Sequence, residues 1–381
     1  EISKEMFLFD KIFLNKNDVG TQTLDMTRLM NREQIIFEST LIRNMICGKR
    51  VLITGGAGSI GSELCRQVLS FDPSSVVIVD RCENYIHDLI VSLGEISERV
   101  YYSCASVSDL SAMTAVFYHH KPHLVFHAAA HKHVPLMENN VSEAVVNNYL
   151  GAKIVADLSE IHEVEKFVLL STDKVVNPSS VMGMTKKLAE KYIRWMDKKY
   201  SARFLAVRFG NVLGSRGSVV PLFWDQIRKG GPVTITHPEM ERYFMLSEEA
   251  AQLILQSAAM ENKYKVFLLE MGRPIKILDL AKRMIRLAGY EPYRDVDIKI
   301  IGLRPGEKLI EELVEARETL ISIEDEKINF IQSDENSFTD WRKWVTELDT
   351  LLIDRDQAKV KEWLMALTCE NSLESFPTAF G

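Results

Sequence analysis

From Lys49 onward the chain alternates short apolar runs with stretches whose apolar residues recur at helical spacing. The runs 50–54, 75–79, 99–103, 123–127, 166–171 and 203–207 are continuous in Val, Ile, Leu and Phe rather than strictly alternating, which predicts strands buried on both faces. Helical text separates them, as in Ser62 to Leu69. Strands alternating with helices predict an α/β fold, a Rossmann-like doubly wound parallel sheet with a smaller C-terminal lobe. Ligands of such sheets bind outside the carboxyl ends of the strands. The loops expected to share that crevice are Gly55 to Gly61, Asp80-Arg81, Ala105 to Val107 (with Ser106), Ala128 to Ala130 (with Ala129), Ser171 to Lys174, and Arg208 to Asn211.

The remaining text frames this body. Residues 1–48 read as an N-terminal arm, with a helix over Glu33 to Ile46, followed by a dinucleotide-binding domain over 49–210. Glycine-rich text then replaces the alternation at Gly214-Ser215-Arg216-Gly217, Gly230-Gly231-Pro232 and Arg304-Pro305-Gly306-Glu307-Lys308. That predicts a substrate-binding lobe over 211–330, partly interleaved with the sheet. A C-terminal helical tail is expected over 331–381, with Gln332 to Ser337 as linker or loop. An amphipathic helix from about Arg355 to Leu367 would dock Trp363, Leu364 and Leu367 on the body or on a partner subunit.

Two features give the first strand its chemistry. Gly55, Gly58 and Gly61 stand between a strand and a helix, where they allow a tight turn, a close approach to a pyrophosphate and close helix packing; Ser59 and Ile60 lie in the same turn. Amides at the helix start favour an anion. The second strand ends in Asp80, about twenty residues on, where a carboxylate accepts hydrogen bonds from an adenosine ribose. Asp80 would repel a 2′-phosphate and Arg81 would attract one, so NAD is favoured over NADP.

Composition narrows the classes. With 381 residues and 46% apolar content the chain supports a large core, and a net charge of -7 argues against nucleic acid as a partner. Five cysteines without a CxxC pair read as reduced, mostly buried thiols of a cytoplasmic protein. No run of 18 apolar residues and no signal peptide occurs, although the first residue, Glu1, leaves room for an upstream segment. The histidines between 119 and 133 lack ligand spacing, so no metal is expected.

The fifth strand ends in Ser171, Thr172, Asp173 and Lys174, and Lys186 follows on the next helix, giving a hydroxyl, an acid and amines of the kind general acid–base chemistry needs. A turn cap and a solvated lysine remain the alternative. Arg208, Arg216, Arg242 and Arg304 are candidate phosphate partners.

These blocks carry a resemblance. Thr54-Gly55-Gly56-Ala57-Gly58-Ser59-Ile60-Gly61, His127 to Leu136, Ser171-Thr172-Asp173-Lys174, Arg208 to Gly217 and Leu303 to Lys308 occur in order. From about Gly48 to Leu313 the chain resembles an extended short-chain dehydrogenase/reductase, and within that superfamily the UDP-N-acetylglucosamine 4,6-dehydratases of bacterial polysaccharide biosynthesis. The superfamily's Tyr-x-x-x-Lys appears here as Met182 to Lys186, and a thioether transfers no proton. The resemblance points to the larger, often membrane-anchored branch in which Met is usual.

The resemblance implies tightly held NAD, the substrate UDP-N-acetylglucosamine, a homo-oligomer, and a cytoplasmic location, at the inner face of the membrane if an anchor precedes the chain. The implied reaction oxidises carbon 4 transiently, loses water across carbons 5 and 6, and returns hydride to carbon 6. Thr172, Asp173 and Lys174 would move protons, Lys174 as a base with its pKa lowered by burial and by Lys186. Lys186 would bond the nicotinamide ribose, and Asn148 matches the superfamily asparagine or orders its own helix. Lys132, Asn211, Arg216, Arg242, Arg304 and Glu307 are assigned to the UDP-sugar, Lys132 to the cofactor as well. A UDP-sugar 4-epimerase and a non-catalytic NAD-binding module are the competing readings.

Overall fold

Each of the six apolar runs forms a strand. In the computed structural model, which describes residues 40–199, 203–260, 266–322, 327–333, 341–354 and 356–368, they are β1 (Arg50–Thr54), β2 (Ser75–Asp80), β3 (Val100–Cys104), β4 (Leu124–His127), β5 (Lys166–Leu170) and β6 (Arg203–Arg208). All pair in parallel, in the order β3-β2-β1-β4-β5-β6. The order reverses between β1 and β4, so their carboxyl ends part there and leave a crevice.

Helix α1 (Thr40–Ile46) precedes the sheet, and the crossovers are α2 (Ser59–Leu69), α3 (Glu83–Leu93) and α4 (Leu110–His120). After β4 come the short α5 (Val134–Glu138) and α6 (Val141–Ala144), a π-helical turn at Val145–Leu150, and α7 (Gly151–Ile161); α8 (Val181–Lys199) follows β5. One core packs α1, α2 and α3 on one face with Ile53, Ile78 and Phe126, and a second packs α4, α7 and α8 on the other with Leu52, Val125 and Phe167. Continuous apolar strands are what two covered faces require.

The lobe adds β7 (Asn211–Val212), α9 (Val219–Arg228), β8 (Val233–Ile235), β9 (Glu241–Arg242) and β10 (Phe244–Met245), and its own core includes Phe223, Ile227, Ile235, Phe244 and Met284. The chain then returns to the sheet. Helix α10 (Ser247–Ala259) lies against α2, and β11 (Val266–Leu269) pairs in parallel with β6. After β12 (Ile275–Lys276), α11 (Ile277–Leu287) and β13 (Ile298–Ile300) in the lobe, β14 (Glu318–Ser322) and β15 (Ile328–Ser333) complete nine strands, β15 antiparallel to both β11 and β14. Gln332 and Ser333 therefore end a strand rather than open a linker, because their backbone pairs with Thr319 and Glu318.

Helices α12 (Trp341–Asp354) and α13 (Gln357–Thr368) follow, and α13 docks on the body, burying Val360, Trp363, Leu364 and Leu367 against α8 and α6. Burial of each such side chain is worth about 1.5–3 kcal/mol. Polar bonds fix its direction: Lys361 pairs with Glu138 at 2.8 Å, and the Gln357 amide bonds the Ser142 hydroxyl and backbone N–H. Residues 1–39, Asp334 to Ser337, Arg355 and Cys369 lie outside the described residues, so most of the N-terminal arm expected over 1–48 and the start of the predicted helix at 33 do too; the arm's described end is α1, whose Ile42 and Ile46 pack on the sheet. Among the four described cysteines only Cys65 is buried; Cys47 and Cys104 are exposed, Cys47 because it sits just past the end of α1 and Cys104 because it is the exposed last residue of β3.

Candidate active site

The crevice at the strand ends opens into a cavity of about 770 Å³ shared by the sheet and the lobe. Its floor is the glycine turn. Gly55 has φ of +64°, a left-handed conformation, and a Cβ there would stand 2.6 Å from the backbone nitrogen of Ala129; a Cβ on Gly61 would stand 2.1 Å from the Gly55 carbonyl. Both positions need glycine for close packing. Gly58 differs, since an added carbon meets only the Gly55 oxygen, at 3.1 Å, and the residue borders the cavity. Asp80 reaches the turn from β2, accepting from the Ala57 N–H at 3.2 Å and from the Cys82 N–H at 3.0 Å. Such a cradle, with a carboxylate at the next strand end, fits a dinucleotide.

The loop after β4 forms one wall. Ala128 and Ala129 lie against Gly55, and the buried Asn148 amide clamps His131, two residues on, accepting from its N–H at 2.7 Å and donating to its carbonyl at 3.0 Å. Its amide also donates to the Thr185 hydroxyl at 3.1 Å, which ties the π-helical turn to α8. Ser106 and Val107 border the same end, Val107 under Gly151. Arg81 is paired with Glu143 at 3.1 Å, and Glu143 also bonds His131 at 2.9 Å.

The opposite wall comes from β5 and α8. Lys174 donates to Asp173 Oδ1 at 2.9 Å and to Asn211 Oδ1 at 3.0 Å, and its ammonium lies 3.4 Å from Glu311. The Thr172 hydroxyl donates to the same Asp173 oxygen at 2.9 Å. One α-helical turn beyond Met182, the Lys186 ammonium donates to the Leu170 carbonyl at 2.7 Å. The two amines are held differently. Burial favours the neutral form of both, but Asp173 and Glu311 outweigh it at Lys174, whose pKa is raised; burial wins at Lys186, which falls from 10.5 to about 8 despite Glu190. The expectation of a lowered Lys174 is thus overturned by its two carboxylate neighbours.

Nearly all the candidate residues meet at this cavity: Gly55, Gly58, Ser59, Ile60, Gly61, Asp80, Arg81, Ser106, Val107, Ala128, Ala129, Lys132, Thr172, Lys174, Met182, Lys186, Asn211, Arg216, Arg242, Arg304 and Glu307 border it. Asp173 and Asn148 stand behind its wall, 1% and 0% exposed. Arg208, one of the candidate phosphate partners, is also elsewhere: it is buried with Glu190 and Glu318, each bonded at 2.6 Å, because β6 points it into the core rather than at the crevice. Arg216 reaches the glycine turn, donating to the Ala57 carbonyl at 3.0 Å with its guanidinium 4.0 Å over the Tyr85 ring, while Ser215 beside it accepts from Lys132 at 3.2 Å. Arg242 is engaged by the carbonyls of Glu241, Lys308 and Leu309. Sequence reasoning missed Glu311, a buried carboxylate on the cavity wall; the only sign was an acidic pair, Glu311-Glu312, shortly after the Arg304 to Lys308 block. Among the described residues no cluster of His, Cys, Asp and Glu could hold a metal, and no helix is long and apolar enough to cross a membrane.

The sheet order and the crevice define a Rossmann-like α/β protein, and its family matches place it in the extended short-chain dehydrogenase/reductase superfamily. A family model described as polysaccharide biosynthesis protein matches residues 51–333, and the chain belongs to that family. Among its relatives, the probable polysaccharide biosynthesis protein EpsC of Bacillus subtilis is 46% identical over 314 residues, which cover 81% of this chain and 52% of EpsC. The chain therefore spans about half the length of that relative. A UDP-glucose 4-epimerase of Rickettsia bellii is 33% identical over 285 residues, 72% of this chain and 80% of the epimerase. The X-ray structure of Pen from Bacillus thuringiensis is similar with a TM-score of 0.71 and 29% identity, covering 81% of this chain and 99% of Pen.

Proposed function

We propose that this chain carries the active site of an NAD-dependent UDP-N-acetylglucosamine 4,6-dehydratase, forming a UDP-4-keto-6-deoxy-N-acetylhexosamine. The observation that supports it is the presence of two separate amines on one cavity, Lys186 and Lys174 with its carboxylate neighbours, each of which can serve as a proton-transfer station. Dehydration needs more than oxidation at carbon 4 does: a proton must leave carbon 5 and another must reach the departing hydroxyl of carbon 6. A 4-epimerase needs the first station alone.

The dinucleotide would lie on the Gly55 to Gly61 turn with its ribose at Asp80, and Arg81, held by Glu143, leaves Asp80 to disfavour a 2′-phosphate. Bound NAD supplies a hydride acceptor for carbon 4 and a hydride donor for carbon 6. Lys186, brought to about 8, is the amine that accepts the carbon-4 hydroxyl proton in place of the missing tyrosine. Lys174, held as an ammonium by Asp173 and Glu311, donates to the leaving hydroxyl. Asp173 acts from behind the wall by orienting Lys174, and Thr172, on the wall, holds the same Asp173 oxygen. Arg304 and Lys132 would meet the diphosphate, whereas Arg242 is already held by the carbonyls of Glu241, Lys308 and Leu309.

The identity to a UDP-glucose 4-epimerase favours the second reading, epimerisation at carbon 4. Incubation with UDP-N-acetylglucosamine and NAD, followed by mass spectrometry, separates them. Loss of about 18 mass units, one water, supports dehydration by the acid–base set; a product of unchanged mass with the galacto configuration supports the epimerase. No change in the sugar refutes both.

A further inference from the structure

The catalytic cluster has a donor on the cavity wall but lacks an obvious base for carbon 5. Asp173 is the nearest carboxylate to Lys174, yet it is 1% exposed and does not border the cavity, and both of its neighbours already bond one oxygen. Met182 borders the cavity and moves no proton. Lys174 borders it as well, but an ammonium between two carboxylates is an acid, not a base.

Glu311 stands where a base is needed. It borders the cavity, 5% exposed, with one carboxylate oxygen 3.4 Å from Lys174 and 3.6 Å from Arg242. Both distances exceed the 2.9 Å of the Asp173–Lys174 bond, so Glu311 is held by charge without being consumed by it. The cationic groups facing it are Lys174, from the loop after β5, and Arg242, from β9 of the lobe, with Asp173 beyond Lys174. Other groups on the cavity are placed for different work: Glu307 accepts from the Arg304 N–H in its own turn, and His133 packs on Gly217.

We propose that Glu311 is the catalytic base of the elimination, taking the proton from carbon 5 while Lys174 protonates the leaving hydroxyl of carbon 6. The inference rests on the dehydratase reading. The step balances: the C5–H bond breaks, its electron pair forms the C5–C6 double bond, and the C6–O bond breaks with release of water carrying the proton of Lys174. Glu311 then holds one proton and returns it to carbon 5 as carbon 6 receives hydride, and the proton released earlier from the carbon-4 hydroxyl restores Lys174. Base and acid border the same cavity 3.4 Å apart, close enough to act together on the hydrogen and hydroxyl of adjacent carbons.

The test compares the parent protein with Glu311→Gln and Glu311→Asp, using UDP-N-acetylglucosamine and NAD in deuterated water. Three quantities are read: kcat and KM for dehydration, deuterium at carbon 5 of the product, and NADH absorbance at 340 nm with one equivalent of enzyme. The amide keeps shape and volume but takes no proton, so Glu311→Gln is expected to lose on the order of a hundredfold or more in kcat, with KM within about threefold. It should still oxidise carbon 4 and so accumulate NADH, which the parent does not. Glu311→Asp should recover about a tenth of the parental rate, since the carboxylate returns at the wrong reach. Dehydration by Glu311→Gln within about threefold of the parent overturns the proposal, as does loss of NADH formation and dehydration together with an unchanged melting temperature. If Glu311→Gln does not fold, the aspartate variant decides, and a rate equal to the parent's or a loss confined to KM counts against it. A parent that binds the sugar nucleotide but never dehydrates it refutes the dehydratase reading itself, a result separate from either variant's.

Discussion

Replacing Arg208 with Met removes the guanidinium that lies between two buried carboxylates. The guanidinium bonds Glu190 at 2.6, 3.1 and 3.2 Å and Glu318 at 2.6 and 2.7 Å, and Glu190 also accepts from the Ser171 hydroxyl at 2.8 Å. Breaking a buried pair by deleting one partner costs about 3–5 kcal/mol, because the remaining charge keeps its desolvation penalty without its partner. That is a large part of the roughly 5–15 kcal/mol that holds a domain together. The pH dependence has a definite sign. Burial raises the Glu190 carboxyl, but Arg208 outweighs it and holds the group below 4.5, so in the parent this contribution is present above that value and fades as the pH falls through the lower, folded pKa. Without Arg208 the burial that raises the carboxyl is opposed only by the Ser171 bond and Arg194, so the pKa moves up, and the deficit of the variant is greatest near pH 7 and narrows as the pH falls. Urea unfolding at pH 7 and pH 5 reads it as a shift in midpoint at constant slope. Arg208→Met combined with Glu190→Gln should recover part of the loss, since the two share one network. A variant within about 1 kcal/mol of the parent at pH 7, but with KM for the sugar nucleotide raised tenfold, would refute the structural role and restore Arg208 as a phosphate partner.

Lys186 sets a second pH dependence: if its neutral amine takes the first proton, turnover rises with pH through about 8 and levels above it, and the same limb should vanish from a Lys186→Met variant that retains only residual rate. Gly61→Ala forces a carbon to 2.1 Å from the Gly55 carbonyl, so the glycine turn must open; NAD binding by equilibrium dialysis should fall at least tenfold, and parental affinity would contradict the cradle geometry. Trp363→Ala empties a site under α13 and should cost about 3–5 kcal/mol by thermal or urea unfolding, whereas a loss below about 1 kcal/mol would mean that the C-terminal helix adds little to the core.

The parallel centre of the sheet is legible because strands covered on both faces write continuous apolar text, and β1 to β6 fall within a residue or two of their expected ranges. Strand β14 left no such mark. It lies at the edge with its side chains mostly exposed, so Glu318 to Ser322 reads as loop until its pairing with β15 is known. Arg208 illustrates a second limit, since an arginine at a strand end looks alike whether it meets a phosphate or Glu190 and Glu318, which lie 18 and 110 residues away. Glu311 and Glu312 illustrate a third: neighbours of the same type differ only in direction, the first buried beside Lys174 and the second half-exposed beside Lys308. Charge direction is set by tertiary packing, and local text does not carry it. Motif spacing, by contrast, assembled the glycine turn, Asp80, Thr172 and Lys186 around one cavity, because each stands at the end of a strand or in the first turns of the helix after it.

The π-helical turn at Val145–Leu150 constrains how this chain tolerates change in length. A wider turn accommodates one residue beyond the regular helical count, which displaces everything after it by about 100° relative to an uninterrupted helix. Asn148 holds His131 from within that extra residue's span, and α7 resumes beyond it in phase with Val107 beneath Gly151. Deleting a single residue here would produce a more regular helix, better by every local measure, yet its amide would face away from the loop it clamps. A change of length within this turn therefore costs the clamp on His131, whereas one residue removed and one inserted within the same turn would keep its register.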